Sequence, residues 1–416
     1  MSRRSRSRHN RPKEKTSKID FEPNWNEAVL KFEDMNLKPE LIQGILNFGF
    51  ENPTDIQSVA IKPIIEHRNV VAQAQPRCGK KGAFEIGILN NLDLSNNTTQ
   101  ALILVPVREI ALKIQDCMTK IGAGMPNLSV ISFIGGTPIA ENGNEAQKQP
   151  HVAVCTPGRC LALIQSHSLN LHDLKMICID DANVLLSIDF IGTCNEIFKN
   201  IPSGIQTLLF SYIIDESVSD FISKSVNDPV KISVKTEESP IQSINHFYVL
   251  IDQQNKISKL IELINSLPIQ KAVIYINSGK TIESLKNKMN VNFPVSFLYN
   301  KMNQINREEN IRNFVEGDSK IIIGTSLISD CIDSRLYNLI FNFGLPAKAE
   351  EFGHRLIFGP KSKDKKGIVA VNIIDVSERK NLNYITKTFN LKIEQLPDDF
   401  TSYVADANRQ FYNDDQ

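Results

Sequence analysis

The sequence has no net charge, no long apolar run and no Cys-x-x-Cys pair, and each absence removes a class of function. Its 47 Lys and Arg residues cancel 47 Asp and Glu residues over 416 positions. No overall field therefore gathers polyanions, and any nucleic-acid surface must be a local patch. No apolar run approaches the ~20 residues that a membrane-spanning helix needs. The first residues also lack the apolar stretch of a secretory signal. Seven cysteines without a Cys-x-x-Cys pair suit unpaired thiols in a reducing compartment. The expected address is the cytoplasm, with the nucleus as an alternative, and no membrane contact is expected.

What is present is a chain long enough for two or three domains, with a 41% hydrophobic content that can fill packed cores. Its start stands apart. Arg3, Arg4, Arg6, Arg8, Arg11, Lys13, Lys15 and Lys18 face a single Glu14. A run this basic and this poor in apolar residues cannot bury enough surface to fold, so residues 1–23 are expected to be a disordered basic tail. Two readings stay open for it: a solvated arm, or a non-specific RNA contact modulated by phosphorylation of Ser5 or Ser7.

From about residue 24 onward, short apolar runs alternate with amphipathic stretches. Ala101–Val105, Val152–Val154, Met176–Ile179, Thr207–Phe210, Ala272–Ile276, Lys320–Ile323 and Leu339–Phe343 read as buried parallel strands. Ile257–Asn265 and Thr281–Met289 read as helices. The alternation predicts α/β architecture with doubly wound parallel sheets. The polar stretch Lys235–Ser243, which contains Pro240, interrupts the pattern. It is expected to be a short linker between one domain over 24–234 and another over 244–416. Ligands in open α/β sheets sit at the C-terminal ends of the strands, so two such domains make a cleft between them.

After the strand-like Val70–Ala72 comes Ala74-Gln-Pro-Arg-Cys-Gly-Lys-Lys81, a degenerate match to a phosphate-binding loop. Such a loop aims backbone N–H groups at phosphates, with a Lys on the terminal phosphates and a hydroxyl on Mg²⁺. On its own this stretch reads equally well as a plain loop. It has company, however. Gly49-Phe-Glu-Asn-Pro-Thr-Asp-Ile-Gln57 precedes it. Pro106-Val-Arg-Glu-Ile110, Gly135-Gly136, Thr156-Pro-Gly-Arg159, Asp180-Asp-Ala-Asn183 and Ser211-Tyr-Ile213 follow it in order. Further on stand Gln304 with Arg307, Gly324-Thr-Ser326 through Asp333, and His354-Arg355.

This series resembles the DEAD-box RNA helicases over about residues 24–400. Segments such as Phe32-Glu-Asp-Met-Asn-Leu37 and Ile393-Glu-Gln-Leu-Pro397 resemble the initiation factor 4A branch of that family. The resemblance implies two tandem RecA-like domains closing over ATP with Mg²⁺ and over single-stranded RNA. It assigns Phe50 and Gln57 to adenine, Gly79 and Lys80 to the phosphates, and Asp333 to the ribose. Asp180 would reach Mg²⁺ through water, and Asp181 would stand at the position that orients the attacking water. Pro106, Arg108, Gly135, Gly136, Thr156, Gly158, Arg159, Gln304 and Thr325 would face RNA in sequence-independent binding. A scaffold of the initiation factor 4G type is an implied partner, and a monomer the implied state. The same residues also have a plainer use: Thr54 is suited to capping a helix, and Pro157-Gly158 is turn chemistry.

The departures from the family pattern concentrate on hydrolysis. Arg77 stands where the family has glycine, and a Cβ-bearing residue resists positive φ. Pro76 removes a backbone donor. Lys81 replaces the threonine whose hydroxyl holds the metal, placing a cation where a cation should bind; the alternative is that it neutralises a phosphate in the metal's place. Asp181 is one methylene shorter than the usual glutamate, and a misplacement of about 1 Å can cost ~10²-fold in rate. Asn183 exchanges a carboxylate for an amide and should weaken its couplings to neighbouring motifs. Tyr212 and Ile213 replace alanine and threonine, losing a hydroxyl. Phe358 and Lys361 align with arginines that reach the γ-phosphate, and an arginine finger is worth ~10³–10⁵ in rate. Asp330 stands in place of an arginine and Cys331 in place of a glycine. Together these favour an RNA-binding, catalytically weak or inactive member acting in translation initiation or its regulation. Two other readings stay open: a working ATP-dependent RNA helicase, and an interaction protein without RNA contact.

Overall fold

The computed structural model describes residues 21–187, 190–234, 240–286, 288, 294–356 and 366–413. Residues 1–20 of the expected tail, most of the expected linker, and Phe358 and Lys361 lie outside the described residues. The first sheet contains β1 (Val70–Ala74), β2 (Ala101–Leu104), β3 (Val130–Phe133), β4 (Val152–Cys155), β5 (Met176–Ile179), β6 (Gln206–Ser211) and β7 (Val230–Val234). Their order is β3-β4-β2-β5-β6-β1-β7, and every pairing is parallel. The second sheet contains β8 (Asn245–Leu250), β9 (Ala272–Ile276), β10 (Val295–Leu298), β11 (Ile321–Gly324), β12 (Leu339–Phe343), β13 (Val369–Ile374) and β14 (Ile393–Gln395). Its order is β10-β11-β9-β12-β13-β8-β14, again parallel throughout. Doubly wound parallel sheets are what the alternation of runs predicts, and two RecA-like domains in tandem are what the resemblance implies.

Helices cover both faces of each sheet, which is why the central strands read as unbroken apolar runs. Successive side chains on β2 go to opposite cores. Ala101 and Ile103 pack under helices Asp55–Ile65, Lys80–Asn91 and Arg108–Ile121. Leu102 and Leu104 pack under helices Pro157–Gln165 and Ile191–Lys199. In the second domain β9 divides in the same way, Val273 and Tyr275 to one face, Ala272 and Ile274 to the other. Ahead of β1, Asn24 pairs its N–H with the Lys231 carbonyl at 3.0 Å. The single tryptophan, Trp25, donates its indole N–H to the Val59 carbonyl at 3.1 Å. These bonds strap the chain's entry across the first domain.

The strands that the apolar runs do not reveal are β3, β7, β8, β10, β13 and β14. Four of them are the sheet edges: β3 and β7 in the first sheet, β10 and β14 in the second. An edge strand has a neighbour on only one side and carries a mixed pattern, as in Val230-Lys-Ile-Ser-Val234. β13 is central and fully buried, but Asn372 breaks its apolar run. That side chain sits opposite Asn342 in register, accepts from the Asn342 amide at 2.9 Å, and donates to the Phe247 carbonyl at 2.9 Å. A satisfied amide pair replaces apolar contact there.

Helix Pro39–Asn47 docks on the end of helix Arg108–Ile121 through Gly44, where a Cβ would lie 1.8 Å from the Ile121 carbonyl oxygen. Gly44→Ala should therefore destabilise the first domain by about 1–3 kcal/mol, measured as a fall in its denaturation midpoint. Gly192→Ala, on a helix with open space around it, should stay within about 0.5 kcal/mol of the wild type.

Candidate nucleotide cleft and nucleic-acid interface

Apart from Phe50 and Gln57, which precede β1, the implied site residues follow the C-terminal ends of the strands, and sheet order sorts those of the first domain. The loops after β2, β3 and β4, three adjacent strands, carry the residues assigned to RNA. The loops after β1, β5 and β6, the next three strands along, carry the phosphate loop, Asp180 and Ser211.

The phosphate loop joins β1 to helix Lys80–Asn91. Two of its residues have positive φ, Arg77 at 60° and Gly79 at 104°. Glycine is required at 79, since a Cβ would also fall 2.4 Å from Thr54 Oγ1. Lys80 is buried and turns back on its own loop, its ammonium donating to the Ala74 and Gln75 carbonyls at 2.9 Å each. Gln57 is buried as well. Its amide oxygen accepts from the Thr54 N–H at 2.9 Å, and its amide nitrogen donates to the Gly79 carbonyl at 3.2 Å. Thr54 is the N-cap residue of helix Asp55–Ile65, and Gln57 closes back on its N–H. Phe50 lies half-buried, edge-on to Phe48, and meets the same helix turn at Gly82.

Asp180, fully buried at the end of β5, faces the Lys81 ammonium at 3.1 Å. Burial and Asp181 push the Asp180 carboxyl up, while Lys81 and Lys80 pull it back. Burial acts to lower the Lys81 pKa, but Asp180, Asp181 and Asp330 outweigh it and hold the ammonium protonated. One helical turn on, Glu85 is buried and accepts from the Cys117 thiol at 2.9 Å. Burial raises its carboxyl to about 7. Sequence reasoning missed Glu85, although a lone carboxylate in the run Ala83-Phe-Glu-Ile86 was a visible signal. Asn183 keeps a coupling that its substitution was expected to weaken. Its side-chain oxygen accepts from the Ser211 hydroxyl at 2.9 Å, and its N–H reaches the same hydroxyl oxygen at 3.3 Å. An amide keeps an acceptor oxygen, and one acceptor suffices here.

Contacts cross from domain one to domain two at the end of the short helix Leu327–Cys331. The Arg77 guanidinium donates to the Ser329 carbonyl at 2.8 Å and to the Ile332 carbonyl at 3.4 Å. The Lys113 ammonium donates to the Asp330 carbonyl at 2.7 Å and to the Cys331 carbonyl at 3.0 Å. Nearby, Arg307 and Glu109 form a buried ion pair at 3.0 Å between the domains. Within domain two, Asp330 pairs with His354 at 3.1 Å. Arg355 turns inward, donating to Asn277 at 2.7 Å, Ser326 at 3.0 Å and Glu351 at 3.0 Å.

On the RNA-assigned side, Pro106 and Arg108 follow β2, with Arg108 opening helix Arg108–Ile121. Arg108 lies over Gly135 and Gly136, where a Cβ on Gly136 would meet its guanidinium at 2.4 Å. Thr156 is the N-cap residue of helix Pro157–Gln165, and Gly158 in its first turn is exposed with open space around it. Arg159 is committed to its neighbours. It donates to the Thr137 carbonyl at 2.7 Å, to the Thr137 hydroxyl at 3.1 Å and to the Asn142 side chain. Gln304 opens helix Gln304–Glu316 one turn before Arg307, and its amide donates to Glu308 at 2.9 Å. Thr325 follows β11, half-buried. Burial lowers the Arg108 pKa, and the charges of Arg307 and Arg159 add to the effect. Glu109, paired with Arg307, offsets part of this positive field. Asp333, assigned to the ribose, accepts from the Arg335 guanidinium, with Nε 2.9 Å from one carboxylate oxygen.

A DEAD/DEAH box helicase family model matches residues 54–221, and a helicase conserved C-terminal domain model matches residues 255–357. The ATP-dependent RNA helicase eIF4A of Neurospora crassa is 35% identical over 379 residues, covering 91% of this chain and 95% of that protein. Its namesake in Debaryomyces hansenii is 35% identical over 381 residues with the same coverage. The chain belongs to the DEAD-box RNA helicase family. The fold of S. cerevisiae Dbp5, solved bound to RNA and ADP BeF3, superposes with a TM-score of 0.80 at 24% identity, covering 92% of this chain and 99% of that one. A DEAD box protein from Methanococcus jannaschii gives 0.51 at 28% identity, covering 89% and 100%.

Members of this family bind ATP with Mg²⁺, but the residues here do not fit the metal. The Lys81 ammonium lies against Asp180, the carboxylate that would approach it. Among the described residues no three His, Cys, Asp or Glu side chains converge as a metal set. The Lys80 ammonium and the Gln57 amide nitrogen donate to backbone carbonyls of the loop itself.

His354 offers a pH test. Burial would lower its pKa, but Asp330 outweighs burial and raises it, while His354 in return depresses Asp330. Stability from a raised His is complete below its unfolded value of about 6.5 and is lost as pH climbs through the folded value. Stability from a depressed Asp is present above about pH 4 and is lost as pH falls. The Tm difference between wild type and His354→Gln should be largest between these limits and shrink above them. A difference unchanged to about pH 9 would mean that no imidazolium contributes.

Proposed function

We propose that the chain is an RNA-binding DEAD-box protein that does not hydrolyse ATP at an appreciable rate and acts by occupancy. The carrying observation is the Lys81–Asp180 ion pair, which sets an ammonium where the family's chemistry needs a divalent cation. Asp181 is short, and the finger positions Phe358 and Lys361 carry no arginine. These losses fall on different steps, so no single compensation restores the rate.

RNA binding is supported by Arg108, whose guanidinium lies over Gly135 and Gly136 at the RNA-assigned end of the first sheet. Its place in translation initiation or its regulation is supported by the similarity to eIF4A proteins along nearly the whole chain. Single-stranded RNA is the proposed ligand, and a scaffold of the initiation factor 4G type the proposed protein partner. The proposed address is the cytoplasm, with the nucleus as an alternative.

The purified chain should release no phosphate above background with Mg-ATP and RNA. It should also bind single-stranded RNA with a log–log salt slope of roughly −0.7 per phosphate contact. Arg108→Glu should weaken that binding at least about tenfold. Phosphate release at the rate of an active family member would reinstate the working-helicase reading. Salt-independent behaviour with no RNA binding would favour the interaction protein.

A further inference from the structure

We propose that this chain closes its two domains on each other without nucleotide, and so acts as an ATP-independent clamp on single-stranded RNA. The RNA half of this statement rests on the reading above, whereas the closure does not.

The closure is written in protein contacts alone. A helix ends with carbonyls that have no partner within the helix. At the end of Leu327–Cys331, the carbonyls of Ser329, Asp330, Cys331 and Ile332 each receive a donor from domain one, two from Arg77 and two from Lys113. A cation at a helix C-terminus is favourable on electrostatic grounds as well. The buried Glu109–Arg307 pair adds a second attachment on the RNA side of the same cleft.

One residue that breaks the catalytic pattern, Arg77, builds half of this contact, and a second, Asp330, adds its field to it. Arg77 stands in place of a glycine and spans the cleft. Asp330 stands in place of an arginine, and its field reaches Lys81 and Arg77 from the other domain. The polarity of the cleft is thereby turned round. Domain one presents the cations Arg77 and Lys113, and domain two presents carbonyls with the Asp330 carboxylate nearby. The faces are complementary without a polyanion between them. A ligand shifts a conformational equilibrium only by its differential affinity for the two states. Nucleotide would have to displace the Arg77 and Lys81 contacts, so it gains nothing by closure.

The test uses the full chain in solution scattering, with and without Mg-ATP, beside RNA dissociation kinetics in the same buffers. The expected radius of gyration is that of the closed structure in all conditions, and RNA affinity should change by less than about twofold with nucleotide. The double variant Arg77→Gly with Lys113→Met should expand and release RNA at least about tenfold faster. Its secondary structure, followed by circular dichroism, separates opening from unfolding. An expanded wild type, or one that contracts only with Mg-ATP, would overturn the clamp whatever the variant does. A compact, nucleotide-insensitive wild type that binds no RNA would keep the closure and sink the RNA reading. RNA binding by an open chain would do the reverse.

Discussion

The arrangement of the cleft depends on one constraint: four carbonyls at the end of a five-residue helix find their donors in the other domain. A helix end must satisfy these groups with a cap, with water or with another chain segment. Here two long cationic side chains do so, and both come from elements anchored in the first sheet, Arg77 from the loop after β1 and Lys113 from helix Arg108–Ile121. The same helix carries Glu109, the partner of Arg307. One rigid helix thus sets the spacing of two attachments, and the interdomain geometry follows from its length and face.

The charge pattern around Asp180 follows a related logic. A buried carboxylate is costly unless a cation is close. In the family that cation is supplied from outside; in this chain Lys81 supplies it from the adjacent helix turn. The electrostatic requirement of the buried carboxylate is thereby met by the chain's own ammonium. Glu85 lies one helical turn on, its carboxyl raised by burial to about 7, so the region pairs one acidic group and shifts another toward its protonated form.

Much of this was legible in the sequence, for reasons that can be named. Central strands such as Ala272–Ile276 are buried on both faces, and continuous apolar runs betray them. Edge strands such as Val295–Leu298 alternate, and β13 hides behind Asn372, so neither gave a clean run. The site was legible as motif order, which places Asp180 and Arg108 on strand ends without specifying partners. What could not be read was side-chain commitment. Gln57, Lys80, Arg159 and Asp333 carry family identities, yet each spends its polar atoms on neighbours brought close only by the fold. Asn183 erred in the other direction, keeping Ser211 despite its altered chemistry.

The order of strands in the first sheet has a wider consequence. The loops that would grip a polynucleotide hang from β3, β4 and β2, and those that would break a phosphoanhydride hang from β5, β6 and β1. Two labours share a sheet but no backbone hinge, so drift in one leaves the other's scaffold standing. A lineage on such a sheet can shed its chemistry piecemeal while its hold on a strand persists, which makes the architecture a ready source of non-catalytic descendants.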